Sequence, residues 1–171
     1  MNSSLFRIDH LLIYTITVIL LFSSCMKQES YSDIPEIEYL GYYNVFDTGQ
    51  YAKQGVLTIG FKDGNGDIGL AVGDTNFPFN KEGDYYYNFV IGYFEKQQGV
   101  FVKVDLNPSF SARIPILNAE EPGRAIKGFI TDTLILNPKP VYDTIRFYVF
   151  IYDRALNKSN VVTTPEIIVS R

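Results

Sequence analysis

The chain has 171 residues and a formal net charge of −4, with Lys and Arg scattered and no basic stripe. That sets nucleic acid aside as a partner, because phosphate binding needs clustered positive charge. One His (His10), one Cys (Cys25) and no Trp exclude a Ser-His-Asp or Cys-His catalytic group, and a His- or Cys-based zinc site, from everything after Cys25.

Arg7 gives a weakly positive start, 11–22 (LLIYTITVILLF) is an apolar run, and Ser23-Ser24 lead into Cys25. Charged start, apolar run and small-residue cleavage site, in that order, read as a helical secretory signal peptide over 1–24. The run falls short of the ~20 apolar residues that a spanning helix needs. Leu21-Phe22-Ser23-Ser24-Cys25 resembles a bacterial lipobox, in which the peptide is cut before a lipid-modified cysteine; Phe22 stands where leucine is usual. The resemblance implies lipidation of Cys25 by acyl chains such as palmitate, and the membrane as a partner through that anchor. Two acyl chains hold stably where one holds marginally. Met26, in place of an aspartate after the cysteine, implies the outer membrane by the same resemblance. The alternative is an ordinary signal peptide with an incidental cysteine. Removing the signal takes Arg7 and Asp9 together and leaves the net charge unchanged.

Residues 25–35 read as the lipidated cysteine and a short polar tether ending in Pro35. Residues 36–171 read as one all-β domain, with no disulfide to hold it. Strands are expected at 36–46, with Ile37, Tyr39, Tyr43 and Val45 on one face, and at 55–62, followed by the glycine-rich 63–69. Further strands are expected at 85–96 and 100–106, joined by a Gln97-Gln98-Gly99 hairpin loop. Segment 113–117 contains Pro115 and is expected as an edge or broken strand. A strand follows at 125–130. Segment 144–152 (TIRFYVFIY) alternates most cleanly, with Ile145, Phe147, Val149 and Ile151 on one face, and 161–169 closes the domain, interrupted by Pro165. About seven or eight antiparallel strands at this spacing predict a β-sandwich.

Residues 148–160 (YVFIYDRALNKSN) resemble the last hairpin of fibronectin type III and related immunoglobulin-like domains, where an alternating strand runs into Asp-x-Ala-Gly-Asn-x-Ser; Leu156 replaces the usual Gly. The fold implied is an immunoglobulin-like sandwich. Phe61-Lys62-Asp63-Gly64-Asn65-Gly66-Asp67-Ile68-Gly69 resembles a pattern of small bacterial lipoproteins, which implies an address and a fold without an activity.

That same segment is the candidate metal site. Calcium takes about six to eight oxygens from a tightly turning backbone. Asp63, Asn65 and Asp67 alternate, and counting Asp63 as one puts the Gly69 carbonyl at seven and Asp74 at twelve, as in an EF-hand loop. Ile68 stands where that loop needs Gly, so a calcium-binding β-loop is the form expected; a bare hairpin-type turn is the alternative. Tyr85, Tyr86 and Tyr87, with Phe77 and Phe79 nearby, are the candidate ligand-binding aromatics, weighed against core packing. Glu36/Glu38 and Glu120-Glu121 are carboxylate pairs with no pocket in evidence; a hydrolase requires two acids facing each other in a cleft, at least one with a raised pKa. The function expected is a non-catalytic, lipid-anchored binding or scaffold module of the cell envelope. A glycan-binding lipoprotein and a carboxylate-based hydrolase are the alternatives.

Overall fold

The computed structural model describes residues 30–136 and 139–170. The signal peptide, Cys25 and the first part of the tether therefore lie outside the described residues. Among the described residues the domain is all-β, with eight strands in two antiparallel sheets. One sheet has the order β1 (Glu36–Phe46), β2 (Ala52–Asp63), β5 (Ile126–Ile135). The other has the order β4 (Val100–Lys103), β3 (Phe89–Gln97), β6 (Thr144–Ile151), β7 (Val162–Thr163), with β8 (Ile167–Ile168) also pairing β6. This is a two-sheet sandwich, and among the described residues no helix is long and apolar enough to cross a membrane.

Alternation puts one apolar set from each sheet into the core. Leu57, Ile59 and Phe61 come from β2, Ile91 and Tyr93 from β3, and Ile145, Phe147, Val149 and Ile151 from β6. The inward set expected for β6 is thus the one observed. Strand β1 departs from expectation. Tyr39 pairs with Ile59 but Gly41 pairs with Thr58, so Leu40 is an extra residue in the ladder. A bulge of this kind reverses the facing of everything after it. Tyr42 turns inward and meets the Phe147 ring at 5.8 Å, while Tyr43 and Val45 are exposed. Gly55 makes room for Tyr42, whose ring occupies the space a Cβ there would fill.

Strand ends also differ in places. β3 begins at Phe89 rather than at 85, because Tyr85–Tyr87 lie in a turn and the irregular backbone after it, and β5 runs on to Ile135. The Gln97–Val100 pair closes a tight hairpin with positive φ at Gln98 and Gly99. Residues 113–117 form no strand, and Pro165 splits the last strand into β7 and β8. Beside Pro165 the Thr164 hydroxyl accepts the Phe147 N–H at 3.0 Å, standing in for a ladder carbonyl.

The two long sides of the sandwich are built differently. On one, the side chain of Asn160 pairs with the backbone of Ile37 through two bonds of 2.8 Å, and Asn44 donates to the Ile168 carbonyl at 2.7 Å, so β1 is tied to the last strands. On the other, β5 and the segment 104–112 stand apart and leave a cleft.

Candidate functional site

Asp63 is the last residue of β2 and is 0% exposed. Its Oδ2 accepts the Asp67 N–H at 2.9 Å, closing a tight turn, and Asn65 Oδ1 approaches the same N–H at 3.4 Å. Gly66 and Gly69 sit at φ +65 and +117. A Cβ at Gly66 would lie 2.0 Å from the Arg124 carbonyl oxygen, and one at Gly69 would lie 2.2 Å from that of Pro115. Both glycines are therefore required by backbone that crosses the loop as well as by its own curvature.

Two carboxylate oxygens in this turn, Asp63 Oδ1 and Asp67 Oδ1, are buried, and among the described residues neither has a hydrogen-bond partner of good geometry, although the Ile68 N–H also helps to hold the Asp63 carboxyl down. Burial first, and then the neighbouring Asp67 carboxylate, push the Asp63 carboxyl up to about 6, against the opposing pull of the Asp67 N–H; Asp153 adds to the rise. Asp67 is raised as well, by burial and by Asp153. Neighbouring carboxylates that are buried with few donors are costly to ionise.

Asp153 comes from the turn after β6, which docks onto this loop. Ile68 and Asp153 form a β-bridge, Arg154 N–H donates to the Asp67 carbonyl at 3.2 Å, and Ala155 N–H donates to Asp67 Oδ2 at 3.2 Å. Asp153, 1% exposed, closes its own turn by accepting from Asn157 N and Nδ2 at 2.7 and 2.8 Å. Leu156 keeps a left-handed φ of 69 where the resembling hairpins carry Gly. The sequence presents these two motifs separately, and the fold joins them.

Asp74, expected as the twelfth position of a calcium loop, is engaged elsewhere. Arg154 Nη1 donates to its Oδ2 at 2.5 Å and the Ala71 N–H donates to the same oxygen at 2.7 Å. The Arg154 bond holds the Asp74 carboxyl below its ordinary value. Among the described residues no three His, Cys, Asp or Glu side chains converge as a metal cage. A cation here would draw on Oδ1 of Asp63 and Oδ1 of Asp67, hard oxygen donors of the kind calcium takes.

The long loop between the acidic turn and β3 is organised by Arg113, which sequence reading placed only in a broken strand. Its Nη1 donates to the carbonyls of Phe79 and Tyr86 at 3.0 and 2.9 Å, and its Nη2 donates to that of Asp74 at 3.0 Å. The guanidinium lies 5.0 Å from the Tyr86 ring centre. Arg113→Ala strands these carbonyls, and hydrogen bonds to charged groups contribute about 1.5–3 kcal/mol each without being additive. Amide exchange across 71–87 is expected to speed up about tenfold or more, with Arg113→Lys intermediate because an ammonium cannot fork to the same set. Unchanged exchange in that loop would remove Arg113 as its organiser.

The aromatic candidates divide. Tyr85 packs edge-on against Tyr152 at 4.8 Å, and Tyr86 and Tyr87 meet at 70°. Tyr87 and Phe77 are exposed, Phe77 to 84%, and Val72 to 99%. These rings do not share one plane. Glu36 and Glu38 lie on β1 and Glu120-Glu121 in an exposed loop. Glu36 and Glu38 line a small surface hollow beside Lys62, and the acids that line the larger cleft, Glu95, Asp105 and Asp132, are ones not singled out from the sequence.

Fold and site together define a two-sheet antiparallel β-sandwich with one elaborated loop end. No protein-family model, no curated protein and no solved structure matches the chain.

Proposed function

We propose that this chain is a non-catalytic binding or scaffold module of the bacterial cell envelope, anchored to the outer membrane by lipid on Cys25. The domain is read as an immunoglobulin-like sandwich of the fibronectin type III kind, stiffened by a structural calcium at Asp63 and Asp67. The observation that carries it is the pair of buried carboxylate oxygens, Asp63 Oδ1 and Asp67 Oδ1, that have no partner among the described residues, in the turn onto which the 153–155 segment docks. A divalent cation would satisfy both oxygens and fix the loop end against which a partner would bind. With only two carboxylates the site is expected to be weak, in the range of extracellular modules at about 10⁻⁴–10⁻³ M. The strand order supports the immunoglobulin-like reading. Lettered in sequence, β1-β2-β5 is A-B-E, and β4-β3-β6 followed by β7/β8 is C′-C-F-G.

The glycan-binding alternative receives less support, since a sugar face stacks on coplanar exposed rings and Tyr86 and Tyr87 stand edge to face. The hydrolase alternative gains two acids in a cleft, Glu95 and Asp132, but the cleft wall is largely apolar, which suits a sugar poorly.

The anchor is tested by fractionation. Expressed in a bacterium, the protein is expected in the membrane fraction with labelled palmitate incorporated, and Cys25→Ser is expected to lose both properties. A wild-type protein that takes up no label would overturn the lipid anchor.

A further inference from the structure

Each sheet places one acid on its inward face at the open side of the sandwich. On β3 the buried positions run Phe89, Ile91, Tyr93, Glu95, and Glu95 is 4% exposed. On β5 the inward set is Ile130, Asp132, Leu134, with Asp132 half-buried. Both acids line a cleft of about 630 Å³ whose walls include Leu106, Phe110, Leu134 and Leu136. That size lies within the roughly 300–1,000 Å³ of small-molecule sites, which are mostly apolar with a few placed polar groups.

Among the described residues, no ion pair offsets the Glu95 and Asp132 charges in this cleft. Glu95 Oε1 accepts the Tyr93 hydroxyl at 2.8 Å and the Val141 N–H at 3.1 Å, and no described residue donates to its Oε2. Burial and the Glu95 carboxylate push the Tyr93 phenol up, so it stays a donor. Burial also raises the Asp132 carboxyl, with the Thr133 N–H opposing. Among the described residues neither acid has an ion-pair partner. Of the other charged residues at the cleft, Asp105 is paired with Lys103 at 2.7 Å, and the Lys139 ammonium lies 3.7 Å from the Tyr51 ring centre. A half-buried negative site with apolar and aromatic walls is complementary to a cation carrying an apolar body.

We infer that the cleft between β5 and the 104–112 segment binds a small amphipathic cation, an amine or guanidinium on an aromatic or branched aliphatic body. The cationic head lies between Glu95 and Asp132, and the body lies against Phe110 and Leu134. The site is distinct from the Asp63–Asp67 turn and stands or falls without it.

The test is calorimetric titration of the full chain with three ligands that share one ring: phenethylamine, phenethyl alcohol and phenylacetate. The amine is expected to bind, the alcohol about tenfold or more weakly, and the anion not at all, since losing one good charged contact is worth about a factor of ten. Asp132→Asn, at a half-exposed edge-strand position, and Glu95→Gln are each expected to weaken the amine about tenfold and leave the alcohol unchanged. Melting curves on the same samples establish that each variant is folded. Equal binding of amine and alcohol, unchanged amine affinity in both folded variants, or no amine binding up to about 10 mM, a level that would detect even a millimolar site, would each overturn the inference.

Discussion

Asp63→Asn is expected to raise the melting temperature of the protein in EDTA, the reverse of what removing a buried charged group from a paired site does. The sign follows from the site. Asp63 is fully buried, one of its oxygens has no partner, and its carboxyl is pushed up to about 6 by burial and by Asp67. A carboxyl whose folded value lies above its unfolded value is easiest to bury at low pH and costs stability once ionised. At neutral pH that cost is about 3 kcal/mol, as an order of magnitude. An amide keeps an acceptor for the Asp67 N–H, brings a donor where the carboxylate has none, and carries no charge. About 1–3 kcal/mol of gain corresponds to roughly 3–10 °C for a chain of this size.

Calcium narrows or closes that gap. A ligand that binds only the folded state stabilises it by about 2.7 kcal/mol at one hundred times its dissociation constant. In about 10 mM calcium, roughly ten to one hundred times the dissociation range proposed, the wild type should therefore gain about 1.4–2.7 kcal/mol and climb toward the melting temperature of Asp63→Asn, while Asp63→Asn itself melts as it does in EDTA. If the wild type does not move with calcium and Asp63→Asn is still the more stable, the turn is an acidic strain point with no metal, and the calcium proposal falls.

The fold was legible where period-two alternation runs uninterrupted. In β6 four inward residues in phase, Ile145, Phe147, Val149 and Ile151, are all fully buried. The Gln97-Gln98-Gly99 hairpin and the break at Pro165 were legible because turn chemistry and a missing N–H act locally. Strand β1 was misread because alternation carries no mark of a bulge. Leu40 is one extra residue whose presence depends on how the strand pairs with β2, and after it every facing is reversed.

The site was half legible for the same kind of reason. Asp63 and Asp67 stand in a local pattern of acids and glycines, and local pattern is visible in sequence. Asp153, which adds to the charge on that turn, lies far along the chain and arrives through the Ile68–Asp153 bridge and the Arg154 and Ala155 N–H bonds to Asp67. Asp74 fits the spacing of a calcium loop but meets Arg154 first. Glu95 and Asp132 did leave a signal, since each is an acid in phase with buried apolar neighbours two residues away. For Glu95 that phase is set by Ile91 and Tyr93. For Asp132 it was hidden by ending the expected strand at 130, five residues before β5 stops at Ile135.

Phe147→Ala is the substitution expected to cost this fold most. Phe147 is 0% exposed at the centre of β6, and three rings reach it from different parts of the chain: Tyr42, Tyr93 and Phe110, each with centroids at 5.8 Å. Tyr42 belongs to the other sheet and faces inward only because of the bulge at Leu40, so the Phe147 ring is where the two sheets interlock. Truncation of a buried Phe to Ala costs about 3–5 kcal/mol through lost transfer energy and the cavity left behind. The surrounding rings are large and held by their own strands, so collapse into the void is limited and the upper half of that range is expected. Equilibrium urea unfolding should show the midpoint falling with an unchanged slope, because the surface exposed on unfolding is the same. Phe147→Leu, which keeps most of the volume, should cost about 1.5 kcal/mol or less. A loss below about 1 kcal/mol for Phe147→Ala would place it among ordinary substitutions, and would mean that the sheets are held together along the Asn160–Ile37 side instead of through this aromatic cluster.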